Sequence, residues 1–515
     1  MTSRLLRSTA TVGVNTVISR ILGFVRDMVI ARVFGASLNT DAFFVAFRLP
    51  NFLRRLFAEG AFSQAFVPVL SEYRSQQGEA AVRSLAAHVS GALGAALLLV
   101  TAAGVLAAPV LVAIFAPGFL ADESKYSLTV QMVRITFPYL LFISLTAFAA
   151  GILNTYGRFG VPAFTPVMLN LALIGAALWL APRMAEPVTA LAWGVLVAGI
   201  AQLAFQLPFL KRLGLLVWPR LARGHEGVTR IARLMLPAAF GASVAQVNLL
   251  VDTLIASFLI TGSVSWLYYS DRMVEFPLGV FAIALATVIL PNLSRYHADG
   301  AREVFSATLD WALRWALLVA TPSAVGLVVL AAPILTTLFQ YGEFSARDVA
   351  LSSLSLMAYG SGLIGFVVIK VLAPGYFARQ DTRTPVRVGI IAMVVNVFLN
   401  LALVVPLKHV GLALATSLAA YVNAGLLLRG LRREGVLQGH RGWPALLVKV
   451  TVANVVMAAA LVLARGAPEI WLTADALARA LRLAALVAGG GVVYLLCLLA
   501  MGIRPRQLLP PVAAE

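Results

Sequence analysis

Runs of about 20 consecutive apolar residues recur along this chain, each long enough to cross the ~30 Å hydrocarbon core of a bilayer. Polar residues, Gly and Pro divide them into fourteen segments, at approximately 8–35, 39–70, 82–116, 126–154, 161–181, 187–210, 229–260, 264–293, 305–339, 347–377, 384–406, 410–428, 443–464 and 477–502. A segment inside lipid must satisfy its own backbone hydrogen bonds, and a helix does so. The expected fold is therefore an all-α polytopic membrane protein of about fourteen transmembrane helices, with no large soluble domain between them. Composition agrees: 60% of 515 residues are hydrophobic and only 12% are charged, against about 25% charged in soluble domains. No short apolar stretch with a small-residue cleavage site opens the sequence, so the first helix is expected to stay in place.

Loop charges set an orientation. If the N-terminus and every second loop share one side, that side collects twenty-two Lys and Arg residues and the opposite loops only six, Lys125, Arg183, Arg347, Lys408, Arg465 and Arg479. The positive-inside rule then puts both termini in the cytoplasm. The net charge of +18 is mostly this asymmetry. Its residues are spread over eight short segments, so attraction to anionic lipid is a sufficient explanation and no nucleic-acid partner is expected. The single Cys497 excludes an intrachain disulfide and reads as a small core hydrophobe.

The chain repeats itself. "PVLSEY" (68–73) recurs as "PNLSRY" (291–296), "TPV" (165–167) recurs at 384–386, and Arg212 and Gly214 match Arg433 and Gly435. The offsets of 223, 219 and 221 are nearly constant. Six spans per half give both halves one topology, related by an axis along the membrane normal, as in parallel-repeat transporters. The expected organisation is a six-helix bundle over 1–214, a second over 215–435, and two extra helices over 436–515. Two like bundles facing a central cavity suit alternating access.

Charge inside the spans points to a ligand. Spans 1 and 2 carry Arg20, Arg26, Arg32, Arg48, Arg54 and Arg55 against Asp27, Asp41 and Glu59, and span 8 carries Arg272 and Glu275. An arginine at mid-bilayer costs about 2.5–3.5 kcal/mol on the mildest scale, so these must face water, acids or an anion. Arg32, Arg314, Lys449 and Arg482 can snorkel from helix ends. Pairing of Arg26 with Asp27, Arg55 with Glu59 and Arg272 with Glu275 would explain part of the set. The surplus of arginine, with its fork of donors, suits phosphate oxygens. Pro50 within "FRLPNFLRRLFAEG" is expected to break span 2 beside a cavity. Arg20 and Asp27 share one stripe of span 1, and Arg26 lies about 120° away, so the cavity is wide or the helix is distorted near Gly23.

A second polar set joins Asp252 of span 7 to Asn396 and Asn400 of span 11, which share a helix face. It suits either Na⁺ or a hydrogen-bonded lock between helices. No Walker A or HExxH sequence is present and the five histidines are scattered, so no hydrolytic or nucleotide-binding centre is expected.

The stretches "SRILGFVRD", "FGASLNTDAFFVAFRLPNFLRRLFAEGAFSQAFVPVLSEY", "GSVSWLYYSDRMVEFPLGV" and "VLAPGYFARQDTRTPV" closely resemble the MurJ (MviN) lipid II flippases, of the multidrug/oligosaccharidyl-lipid/polysaccharide exporter superfamily. The resemblance covers essentially all fourteen spans. It implies transfer of lipid II (undecaprenyl-pyrophosphoryl disaccharide-pentapeptide) from the cytoplasmic to the periplasmic leaflet of a bacterial inner membrane for peptidoglycan synthesis. By motif, Arg20, Arg26, Arg54 and Arg272 correspond to the cationic cavity that contacts pyrophosphate. Ser19, Asp41, Asn51, Glu59 and Glu275 match other polar positions of the cavity or its gate, and Ser265 is placed with Asn51 among the state-dependent positions. Asp41 is expected to pair with an arginine in one state only. Spans 13 and 14 resemble helices that form a groove for the polyprenyl tail. Some members bind Na⁺ near the positions of Asp252, Asn396, Asn400 and Thr416, although the pattern there has an acid where this chain has Asn400. No other cofactor is expected. Membrane lipids and other cell-wall synthesis proteins are the expected partners. A drug/cation antiporter of the same superfamily would want a carboxylate-rich cavity. A membrane enzyme acting on polyprenyl phosphates would need clustered catalytic His or Asp.

Overall fold

Proline and glycine punctuate a chain whose described residues are mostly helical. The computed structural model describes residues 2–55, 61–221, 224–438 and 442–503, and the regular structure among these residues contains no strand. The described residues of each apolar segment are mainly helical. Nine helices among the described residues are long and apolar enough to cross a membrane, the longest of them, Arg383–Arg433, covering two segments. The exact number of crossings stays an inference from the sequence. By contacts the chain divides into two compact units, Met1–Ser265 and Trp266–Glu515.

The first unit holds α1 (Thr2–Phe34), α2 (Leu38–Leu53), α3 (Ser63–Gln76), α4 (Gly78–Leu106), α5 (Ala108–Phe115), α6 (Glu123–Thr136), α7 (Tyr139–Thr155), α8 (Gly160–Gly175), α9 (Thr189–Arg212) and α10 (Glu226–Ser257). Gly35 takes φ 63° between α1 and α2, a conformation that costs glycine little. The next helix opens with the Ser37 N–H on the Thr40 hydroxyl (2.8 Å). Pro50 lies inside α2 and does not break it: the missing donor is only its own, and beyond it the Arg54 N–H still donates to the carbonyls of Pro50 and Asn51. Pro138 separates α6 from α7, because it offers no N–H to the preceding turn.

Helices α1 and α8 pack along one another, as do α7 with α9 and α2 with α6. Phe62, Phe66, Leu70, Leu85, Phe148 and Ile152 form an apolar core at one end of the unit. The Phe66 ring lies 5.2 Å from Phe148. Helix α10 packs on α3, α4 and α5, so span 7 joins this unit even though the repeat boundary falls near 214. The Arg220 N–H donates to the Ala87 carbonyl (2.9 Å), which fastens the chain ahead of α10 to α4.

The second unit continues α11 (Ser263–Pro277), which starts at the end of the first, and adds α12 (Ile283–Ala298), α13 (Arg302–Val329), α14 (Ala331–Phe339), α15 (Ala346–Ser361), α16 (Leu363–Phe377), α17 (Arg383–Arg433), α18 (Trp443–Arg465), α19 (Pro468–Thr473) and α20 (Ala476–Ala500). Helix α17 reverses at Lys408, where φ is 52° and ψ −131°. Lipid tails are as apolar as leucine, so helices in a membrane associate through close packing of small residues. Gly362, the cap residue before α16, and Gly365 within it do this against Ser417 and Ala420 of α17, and a Cβ at Gly362 would run into Ser417.

The C-terminal hairpin of α18 and α20 packs on α13 through Leu318, Val450, Ala453, Met457 and Tyr494. Polar bonds fix the packing. The Trp443 indole donates to Asp310 (2.7 Å), Asn454 to the Thr321 hydroxyl (3.0 Å), and the Tyr494 hydroxyl to the Leu318 carbonyl (3.0 Å). Arg479 is buried and donates to the carbonyls of Gln340 and Leu472.

Candidate functional site

Span 1 places its charges on different faces. Arg20 is exposed, whereas Arg26 and Asp27 are 6% and 2% exposed. Helix α1 runs unbroken through Gly23, so the Arg26 offset comes from helical period and not from distortion. Arg26 donates through Nε (2.9 Å) and Nη2 (2.7 Å) to the same Asp27 oxygen, Oδ1. Its Nη1 donates to Asn170 Oδ1 on α8 (3.1 Å). Asn170 in turn donates to the Ser19 carbonyl (3.0 Å). The charges are thus buried as a pair with added hydrogen bonds, the arrangement that makes burial tolerable.

Span 2 gathers Asn51 and Arg54, which donates to the Asn51 side-chain oxygen through Nε (2.9 Å) and Nη2 (2.7 Å). Arg48 donates to the Thr253 hydroxyl of α10. Glu59 and its pairing with Arg55 lie outside the described residues. In the second unit, Arg272 donates to Glu275 Oε2 (2.6 Å) and to the Tyr268 hydroxyl (3.2 Å), and Glu275 is half-exposed. Two of the three ion pairs suggested by sequence are therefore formed.

Asp41 sits at the start of α2 and is 1% exposed. Its Oδ2 accepts from Lys125 Nζ (3.0 Å) and the Gly262 N–H (2.8 Å). Its Oδ1 accepts from the Ser265 N–H (3.0 Å) and hydroxyl (2.7 Å). One carboxylate therefore takes the free N–H groups at the start of α11, where the helix dipole also favours negative charge. The ion-pair partner is Lys125 and not an arginine. The difference arises because α2 packs on α6, whose first turn carries that lysine. Lys125 also lies 4.2 Å from the centre of the Phe119 ring.

Three members of the second polar set are joined by hydrogen bonds. Asn400 donates to Asn396 Oδ1 (2.8 Å), Asn396 to the Thr416 hydroxyl (3.3 Å), and Thr416 to the Leu412 carbonyl (3.0 Å). Together these bonds tie the two arms of α17 across the reversal at Lys408. A Na⁺ at Asn396 Oδ1 would have to displace an amide N–H, and the three side chains include no carboxylate. Asp252 is half-buried on α10 in the other unit. Among the described residues no cluster of three or more His, Cys, Asp or Glu side chains is placed to hold a metal.

Sequence reasoning missed Asn170 and Lys125. A lone amide within "VMLNLAL" is a polar group in lipid, which by itself asks for a partner. A lysine in the first turn of a helix opposes the macrodipole, so "DESK" pointed to a nearby acid.

Long apolar helices, arginines within the spans and a buried carboxylate at a helix start define a polytopic membrane transporter. Its fold is like that of a multidrug resistance MATE family transporter of the MOP superfamily in an inward-facing conformation, at a TM-score of 0.69 and 14% identity over 81% of this chain and 95% of that one. The family is narrower. The family model for the lipid II flippase MurJ matches residues 30–481, and the chain belongs to that family. It is 48% identical to the probable lipid II flippase MurJ of Vibrio cholerae, over 99% of this chain and 98% of the relative. A solved lipid II flippase MurJ in an inward closed conformation is similar at a TM-score of 0.79 and 27% identity, over 94% of this chain and 97% of that chain.

Proposed function

We propose that this protein moves lipid II across the bacterial inner membrane for cell-wall synthesis, as a transporter that makes and breaks no covalent bond. The observation that carries this reading is the 48% identity to a probable lipid II flippase along nearly the whole chain. The arginines of spans 1, 2 and 8 support it, since a pyrophosphate headgroup demands cationic donors. In this reading Arg20, Arg26, Arg54 and Arg272 contact the pyrophosphate, and Ser19, Asn51, Glu59 and Glu275 line its path. The substrate competes with Asp27 for Arg26 and with Glu275 for Arg272. Asp41 and Ser265 form a lock released when the transporter alternates, and Lys125 keeps the carboxylate neutralised in both states.

Two six-helix halves that rock against one another, with α18–α20 holding the polyprenyl tail, complete the scheme, and both termini face the cytoplasm. Other cell-wall synthesis proteins are proposed as partners. Substrate shifts the balance only by binding the two states unequally. Complementation of a flippase-depleted bacterium tests the role of Arg26. Arg26→Ala is expected to insert normally and fail to support growth, and Arg26→Lys to rescue poorly because an ammonium lacks the planar fork. Full growth with Arg26→Ala contradicts the role.

A further inference from the structure

We propose that Asn170 on α8 is a positioning residue for Arg26, fixing the plane in which its guanidinium meets the pyrophosphate; this rests on the reading of Arg26 given above. Ser19 and Arg26 are seven residues apart on α1, two helical turns along one face. Gly23 lies between them, and a Cβ there would meet the Asn170 amide at 3.7 Å. Asn170 lies against that glycine, 5% exposed, and bonds both ends. Its amide has one orientation available. Arginine has only donors and the Ser19 carbonyl only accepts, so Oδ1 must face Arg26 and Nδ2 must face Ser19.

Both Asp27 bonds are to the adjacent residue of the same helix, and Nε and Nη2 converge on one oxygen. Asn170 adds a third point on Nη1 from a different helix. A second asparagine bridge, from Asn15 to the Gly160 carbonyl (3.1 Å), holds the same two helices further along. Both bridges run in the same sense along α1 and α8, so loss of Asn170 leaves that pairing anchored.

A neutral amide suits the task for a reason of charge. It orients the arginine without competing for it, whereas a carboxylate at 170 would add a second acid to a cation that must still attract an anion. That difference separates positioning from packing.

The test is binding of undecaprenyl pyrophosphate to the purified full-length protein in detergent, with thermal unfolding recorded for every variant. Asn170→Ala is expected to weaken binding on the order of tenfold, the size of a hydrogen bond to a charged group. Asn170→Asp, which is nearly isosteric, is expected to weaken binding more than Asn170→Ala, because its carboxylate adds a competing charge beside Arg26. A packing role predicts the reverse order, with the shortened Ala side chain giving the weaker binder. The double variant Arg26→Ala with Asn170→Ala should bind no more weakly than Arg26→Ala alone. If Arg26→Ala weakens binding while folded Asn170→Ala or Asn170→Asp binds like wild type, the positioning role is overturned and the Arg26 role survives. If Arg26→Ala itself binds normally, both fall.

Discussion

The Nζ of Lys125 lies 3.0 Å from Oδ2 of Asp41, with the two side chains only 6% and 1% exposed. They are 84 residues apart in sequence, and the same carboxylate also takes two N–H groups and a hydroxyl at the start of α11. Removing one partner of a buried pair strands the other charge. Lys125→Ala is therefore expected to destabilise the protein by about 3–5 kcal/mol, and Lys125→Met combined with Asp41→Asn to regain most of the loss. Thermal unfolding of the purified variants measures both. Equal stability of Lys125→Ala and wild type would mean that the pair does no structural work.

The lock should also be visible by chemistry. Ser265 is fully buried, so Ser265→Cys in a Cys497→Ser background is expected to resist a membrane-impermeant thiol reagent applied from the periplasm. Adding Asp41→Asn, which weakens the lock, should raise the labelling rate several-fold. Unchanged labelling would show that Asp41 does not hold this end shut.

Acid should loosen the chain ahead of α10. The His225 ring lies 4.5 Å from that of His88. Burial first, and then the charge of His88, hold its pKa below the ordinary 6.5, with Glu226 opposing. The unfolded chain thus binds the proton more readily, and stability rises with pH across that interval. The contribution is full above pH 6.5 and is lost as pH falls toward the folded value. His225→Phe keeps a ring on His88 and removes the titration. Its melting temperature should fall less than that of wild type between pH 7.5 and 5.5, and an identical fall would exclude His225 as the source.

Much of this was legible in the sequence. Apolar length and punctuation located the helices, because a span in lipid has little freedom to be anything else. The motifs around Arg20–Asp27 and Arg48–Arg55 carried the family. Partner choice was less accessible. That Arg26 meets Asn170 and Asp41 meets Lys125 depends on which spans pack together, and no local pattern records packing between segments 84 and 144 residues apart. The local pairs Asn51–Arg54 and Arg272–Glu275 lie within one turn of a helix, where spacing alone brings side chains together.

The C-terminal hairpin gives a prediction about chain length. Truncation after residue 440 removes α18, α19 and α20, which are proposed to hold the polyprenyl tail. Each buried CH₂ of a lipid contributes about 0.8 kcal/mol, so binding of a long-chain prenyl pyrophosphate should drop far more than binding of a short-chain analogue. Truncation also removes the Trp443 donor of Asp310, which keeps its ion pair with Arg314 (2.8 Å). Equal losses for both chain lengths would refute the tail assignment.

The most direct measurement is transfer of fluorescent lipid II across the membrane of liposomes that contain only the purified protein. Wild type is expected to move lipid II well above the rate of protein-free liposomes, and Arg26→Ala, inserted in equal amount, to match the protein-free rate. A membrane potential acts on charge in the transport path at about 2.3 kcal/mol per charge per 100 mV, so the wild-type rate should also change when a potential is imposed. Transfer by wild type no faster than in empty liposomes, or by Arg26→Ala as fast as wild type, would contradict the account of a lipid II flippase working through a buried arginine.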